Sequence, residues 1–131
     1  GMAKGATNMA LHYAMVRKTF GKTIAEHQAI QLKLAEMSTR AAAAELLVHQ
    51  AAKKFDQQER CDLEAGQAKF FASEAAVQNS LDAMRVFGGY SYSPDYEIER
   101  FYRDAPLLCI GEGTNEIQRM IIAKQMVARA S

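Results

Sequence analysis

The residues best suited to chemistry lie near the end of the chain, in "LLCIGEGTNEIQRMIIAKQM". Glu112 stands there between Gly111 and Gly113, with Thr114 and an amphipathic segment behind it. Three readings of that carboxylate are open: a solvated charge on a glycine turn, an anion favoured near a helix N-terminus, or a base whose glycine neighbours let the backbone approach a flat partner. Two further loops carry candidate ligands. In "VRKTFGKTIAEHQAIQ", Arg17 offers either a helix C-terminal cation or a guanidinium fork for phosphate, beside Phe20 and Gln28. In "RVFGGYSY", Gly88 and Gly89 either end a helix or leave backbone N–H groups open to a ligand. The histidines, His12, His27 and His49, share no metal-ligand spacing and read as structural, with no metal site.

Helices are what must position these loops. From Ile30 the apolar residues Leu34, Met37, Ala41, Ala44, Val48, Ala51 and Phe55 follow at alternating spacings of four and three, which predicts a long bundle helix. Thr23-Ile24-Ala25-Glu26 reads as the capping box at its start. Ahead of it, Ala6, Met9, Tyr13, Val16 and Phe20 repeat the rhythm in a first helix expected to end near Lys18, before Gly21. Asp62 is the expected cap of a third helix, whose stripe is Gly66, Phe70, Ser73, Val77, Ser80, Met84 and Phe87; its small members would let a neighbour approach closely. Ser93-Pro94 suggests a short helix over about residues 94–103, and the last helix is expected over about 114–128, with Ile117, Met120, Ile121 and Val127 inward. The fold class expected is all-α: an antiparallel, up-down-up-down four-helix bundle in a single domain, residues 1–131.

Composition bounds the rest. The 131 residues carry a formal charge of +1, 49% hydrophobic and 24% charged residues, an ordinary globular mix with no basic field for nucleic acid. No apolar run is long enough for a membrane span. Cys61 and Cys109 fit no metal or redox motif and read as thiols of a cytoplasmic protein. Gly1 before Met2 looks like a cleavage scar, so a longer parent chain is expected.

Taken together and in order, "RKTFGKTIAEHQAIQLKLAEM", "FGGYSYSPDYEIERFYRDA" and "GEGTNEIQRMIIAKQM" closely resemble the C-terminal helical domain of the acyl-CoA dehydrogenase family, over nearly the whole chain. The resemblance implies an FAD-dependent oxidation of acyl-CoA thioesters to 2-enoyl-CoA. It also implies a homo-oligomer, commonly a dimer of dimers, and electron-transfer flavoprotein or a similar acceptor as partner. The N-terminal helical and middle β domains of that family have no counterpart in these residues, so the chain alone is expected to be inactive. Glu112 would be the catalytic base, taking the α-proton by its side chain and helping to polarise the thioester carbonyl by its backbone N–H. Gly111 and Gly113 would lie against the substrate. Gly111 replaces a tyrosine that many members carry, which would open space beside the reacting carbons. Arg17, Thr19, Phe20 and Gln28 would contact the FAD of a neighbouring subunit. Arg85, Gly88 and Gly89 match the segment that meets the adenosine diphosphate part of FAD, although Arg85 stands where many members have glutamine. Thr114 and Asn115 would lie near the flavin. A flavin monooxygenase, which generally lacks the base, an acyl-CoA oxidase, which keeps it, and a non-catalytic helical interaction module are the competing readings.

Overall fold

In the computed structural model, which describes residues 1–130, five helices pack as an all-α bundle: α1 (Met2–Val16), α2 (Gln28–Asp56), α3 (Asp62–Phe87), α4 (Ile98–Ile110) and α5 (Asn115–Ala130). Helix α3 is the hub and touches the other four. Its small residues make this possible, with Gly66, Ala68, Ser73, Ala75, Ala76, Ser80 and Ala83 all buried. At Gly66 the fit is close enough that an added Cβ would stand 3.1 Å from Ile122 on α5. One core cluster is built around Met37, Ala83, Phe87 and Ile98, and a second, almost wholly of alanine, around Ala3, Ala41, Ala44 and Ala76. At the crossing of α1, α2 and α3, the buried Asn79 amide donates to the Met37 carbonyl at 2.8 Å, to Thr7 Oγ1 at 3.0 Å and to the Ala3 carbonyl at 3.2 Å. No helix among the described residues is long and apolar enough to cross a membrane.

Several sequence expectations are corrected here. Helix α1 stops at Val16, because Arg17 turns extended and the chain enters a two-residue hairpin of β1 (Lys18–Thr19) and β2 (Lys22–Thr23). Val16 is therefore 77% exposed and Phe20 96% exposed, not members of an inward stripe. The Thr23–Glu26 box is present, with the Thr23 N–H donating to Glu26 Oε1 at 3.0 Å, but it caps a single 3-10 turn (Ile24–Glu26); α2 begins only at Gln28. Asp62 is the first residue of α3 rather than its cap. Ser93 accepts from the Asp95 N–H at 3.3 Å and so caps a turn instead of a helix. Helix α4 starts later, at Ile98, and runs through Pro106, which costs it one backbone bond, to the Tyr102 carbonyl.

The largest correction concerns α5. Its packed face is the 3-4-3-4 series Asn115, Gln118, Ile122, Gln125 and Arg129, of which Asn115 and Gln125 are buried. Ile117, Met120 and Val127, expected inward, are exposed, Met120 by 68%. Polar partners on α3, described below, select that face over the apolar one.

Candidate active site

Helix α4 ends at Gly111, whose own backbone is ordinary (φ −68°, ψ 157°). The next two residues are left-handed, Glu112 at φ 56° and Gly113 at φ 86°. Gly113 needs to be glycine twice over, since an added Cβ would also come within 3.0 Å of the Gln118 side chain. For Glu112 the left-handed backbone costs about 1–3 kcal/mol, a strain that tends to collect at functional sites. Thr114 caps α5 by accepting the Ile117 N–H at 3.4 Å. The exposed Glu112 carboxylate lies at the rim of a groove of about 650 Å³ between the start of α1, the middle of α2 and α3, and the end of α4. Its floor is Ala3, Ala41, Ala44, Ala72 and Ala76, and Gly111, Lys69 and Ser73 share its wall.

Beneath this turn lies a network that the sequence did not reveal, built on Asn115, whose side chain was expected near the flavin but is instead turned into the bundle. Asn115 is 2% exposed. Its Nδ2 donates to Ser73 Oγ at 2.9 Å and to Glu74 Oε1 at 2.8 Å, and its Oδ1 accepts from Lys69 Nζ at 2.8 Å. The Ser73 hydroxyl donates in turn to the Phe70 carbonyl at 3.0 Å. A partial signal was present: Lys69 adjoins the α3 stripe that contains Ser73, where a cation is out of place without a partner.

The second candidate region forms at the other end of α1. A depression of about 470 Å³ is lined by Arg17, Thr19, Gly88 and Gly89, with Tyr13, Phe87 and Tyr90 as aromatic walls. The structure thus brings four of the sequence-predicted ligands together. The Arg17 guanidinium lies 5.4 Å from the Tyr90 ring centroid, and Tyr13 stacks on Phe87 at 4.2 Å. Thr19 Oγ1 and His27 Nε2 are 2.9 Å apart, which ties the hairpin to the start of α2. Gly88 is left-handed at φ 63°, and a Cβ on Gly88 or Gly89 would meet nothing within 4 Å, so the backbone there faces open space. A guanidinium, a hydroxyl, an accessible backbone and aromatic faces suit a phosphate-bearing, ring-containing ligand such as a dinucleotide.

Phe20, Gln28 and Arg85 stand outside that lining. Phe20 occupies the hairpin tip in a left-handed conformation (φ 50°), unusual for a bulky residue. Gln28 is exposed at the first position of α2. Arg85 is bound to Asp82 at 3.1 Å, a carboxylate also held by Arg40 at 2.6 Å. Burial raises the Asp82 carboxyl, but the bonds from Arg40, Gln78 and Arg85 outweigh it and leave its pKa lowered.

Comparison with known proteins identifies the fold. The family described as "Acyl-CoA dehydrogenase, C-terminal domain" matches residues 1–127. Over 127 residues the chain is 50% identical to a 3-(aryl)acrylate reductase of Clostridium sporogenes and 50% identical to an acyl-CoA dehydrogenase of Bacillus subtilis, in each case 97% of this chain and 34% of the relative. Among solved structures, butyryl-CoA dehydrogenase from Megasphaera elsdenii superposes with a TM-score of 0.94 at 37% identity, over 96% of this chain and 33% of that one. An FAD complex of PigA superposes at 0.92 with 31% identity, over 97% and 33%. The chain thus spans about a third of the length of these relatives. It belongs to the acyl-CoA dehydrogenase family, as a C-terminal domain.

Proposed function

We propose that this chain is the C-terminal domain of a longer FAD-dependent acyl-CoA dehydrogenase, residues 1–131 forming one domain, in which Glu112 is the base that removes the α-proton of an acyl-CoA thioester. The observation that carries this reading is the strained, left-handed Glu112 between two glycines, at the rim of an alanine-floored groove. A carboxylate so placed can approach a substrate's α-carbon with little side-chain bulk on either side. FAD, when bound, supplies the acceptor for the β-hydride. Arg17, Thr19, Gly88 and Gly89 would hold the phosphate-bearing portion of an FAD. Phe20, Gln28, Arg85 and Thr114 are further candidate contacts, Arg85 only on release from Asp82. The Glu112 groove and the Arg17 depression lie at opposite ends of α1, roughly 20 Å apart at 1.5 Å per residue. Two different FAD molecules, as the family resemblance implies, can occupy these two ends, the second belonging to another subunit of a homo-oligomer such as a dimer of dimers. The exposed apolar residues of α4 and α5, Ile110, Ile117 and Met120 among them, suit burial in such an assembly. Electron-transfer flavoprotein is the proposed redox partner, and two unpaired cysteines fit a cytoplasmic setting.

The name of the Clostridium relative supports a second direction on the same site. Glu112 would then return a proton to the α-carbon of an enoyl thioester, by microscopic reversibility.

The test is Glu112→Gln in the full-length protein, which keeps shape and backbone N–H but removes the base. Acyl-CoA should still bind, while flavin bleaching in stopped flow slows by about 10²–10⁴-fold or more. Near-normal bleaching would place the base elsewhere.

A further inference from the structure

Both ends of the Glu112 turn are held by one side chain from a different helix. Lys69 Nζ, on α3, donates to the Cys109 carbonyl at 3.3 Å and to Asn115 Oδ1 at 2.8 Å. Cys109 lies in the last turn of α4 and Asn115 is the first residue of α5, so the five residues between them, with Glu112 at the centre, are closed by a single ammonium. We propose that Lys69 is the positioning residue for Glu112: by pinning Cys109 and Asn115 it fixes the left-handed turn that aims the carboxylate along the groove. The inference rests on the reading of Glu112 as the base.

Three features support it. A left-handed glutamate persists only where its surroundings over-determine it, and the flanking glycines relax the backbone instead of constraining it. A cation is the right group for this place, because a helix C-terminus presents unpaired carbonyls at the negative end of its dipole and charge-assisted bonds are the stronger kind. And α4 and α5 have independent attachments to the bundle. Ala105 is buried in the alanine cluster, Ile122 packs at Gly66, and Arg129 binds Glu64 at 2.7 Å. Loss of Lys69 therefore loosens the turn while the helices stay docked.

The experiment uses Lys69→Met, similar in reach but without donors, and Lys69→Arg, which keeps them, in the full-length protein; Lys69→Leu, also without donors, replaces the methionine variant if that one does not fold. Amide hydrogen exchange at residues 111–114 should quicken about tenfold or more in Lys69→Met, with α1 and α2 unchanged and Lys69→Arg within about threefold of the parent. Flavin reduction at saturating acyl-CoA should fall by roughly 10–100-fold in Lys69→Met with KM moved less than about threefold, and recover in Lys69→Arg. Unchanged exchange overturns the proposal, as does a loss confined to KM or an arginine variant as impaired as the methionine one. If Glu112→Gln proves as fast as the parent, the base assignment falls, and exchange alone decides: faster exchange upholds the pinning, unchanged exchange overturns it.

Discussion

Acidification should weaken this domain through Glu64 in particular. Glu64 is 6% exposed and sits where the end of α2, the start of α3 and the end of α5 meet. Its carboxylate accepts from Lys54 at 2.7 Å and from two nitrogens of Arg129 at 2.7 and 3.0 Å. The Arg129 bonds first, then that of Lys54, outweigh burial and lower its pKa from 4.5 to about 2. A carboxyl held below its unfolded value stabilises the fold fully above pH 4.5, and that contribution fades as pH falls from about 4.5 through about 2. At 1.36 kcal/mol per pKa unit the shift corresponds to about 3 kcal/mol. Arg129 and Lys54 are partly exposed, so solvent screening brings the expected value to about 2–3 kcal/mol. For a chain of this size that is roughly 6–12 °C in Tm. The assay is urea unfolding followed by far-ultraviolet circular dichroism, from pH 6 down to pH 2, on the parent and on Glu64→Gln. The stability difference should be largest at pH 6 and shrink toward pH 2. Other carboxylates lowered in the same window, such as Glu45 and Glu99, cancel in the comparison. A difference that stays constant with pH, or none at pH 6, would refute the reasoning.

Two further changes probe the candidate sites in the full-length protein. Gly111→Tyr should be tolerated, because the backbone there is ordinary and the new Cβ stands 3.3 Å from the Leu107 carbonyl, a crowding met by a small shift. It should cut kcat/KM for a short branched acyl-CoA at least about tenfold more than for the straight one, and equal losses would mean a distorted turn instead of a narrowed pocket. Arg17→Ala should raise the Kd for FAD by about tenfold or more in a fluorescence titration, the loss expected for one charged hydrogen bond; unchanged retention would remove Arg17 from the cofactor site.

Much of the architecture was legible in the chain because helical periodicity is a local property. The spacing from Ile30 through Ala44 and the small residues of α3 announced a bundle of closely packed helices, and Gly88 ended α3 as expected. Boundaries were less legible where side chains cap turns: Ser93 and Thr23 have cap chemistry, but each serves a short turn ahead of its helix. The glycines around Glu112 correctly singled out an unusual backbone, since positive φ is what glycine permits cheaply and glutamate does not. The pairing of Lys69 with Asn115 was not legible, because the two are 46 residues apart and a lone cation in a helix does not say which distant group it meets.

Helix α5 separates what each level determines. The sequence by itself specified an amphipathic helix following a glycine-flanked glutamate, and named Ile117, Met120, Ile121 and Val127 as its inward apolar residues, of which only Ile121 is half-buried. Only the tertiary structure decided which way that helix turns. Asn115 binds Ser73 and Lys69, and Arg129 binds Glu64; Ile122 packs at Gly66 between them. Burial of apolar area has no direction, so several orientations of one helix can satisfy it in part. Hydrogen bonds and ion pairs depend steeply on distance and angle, and these two, one near each end of α5, leave a single rotation that satisfies both.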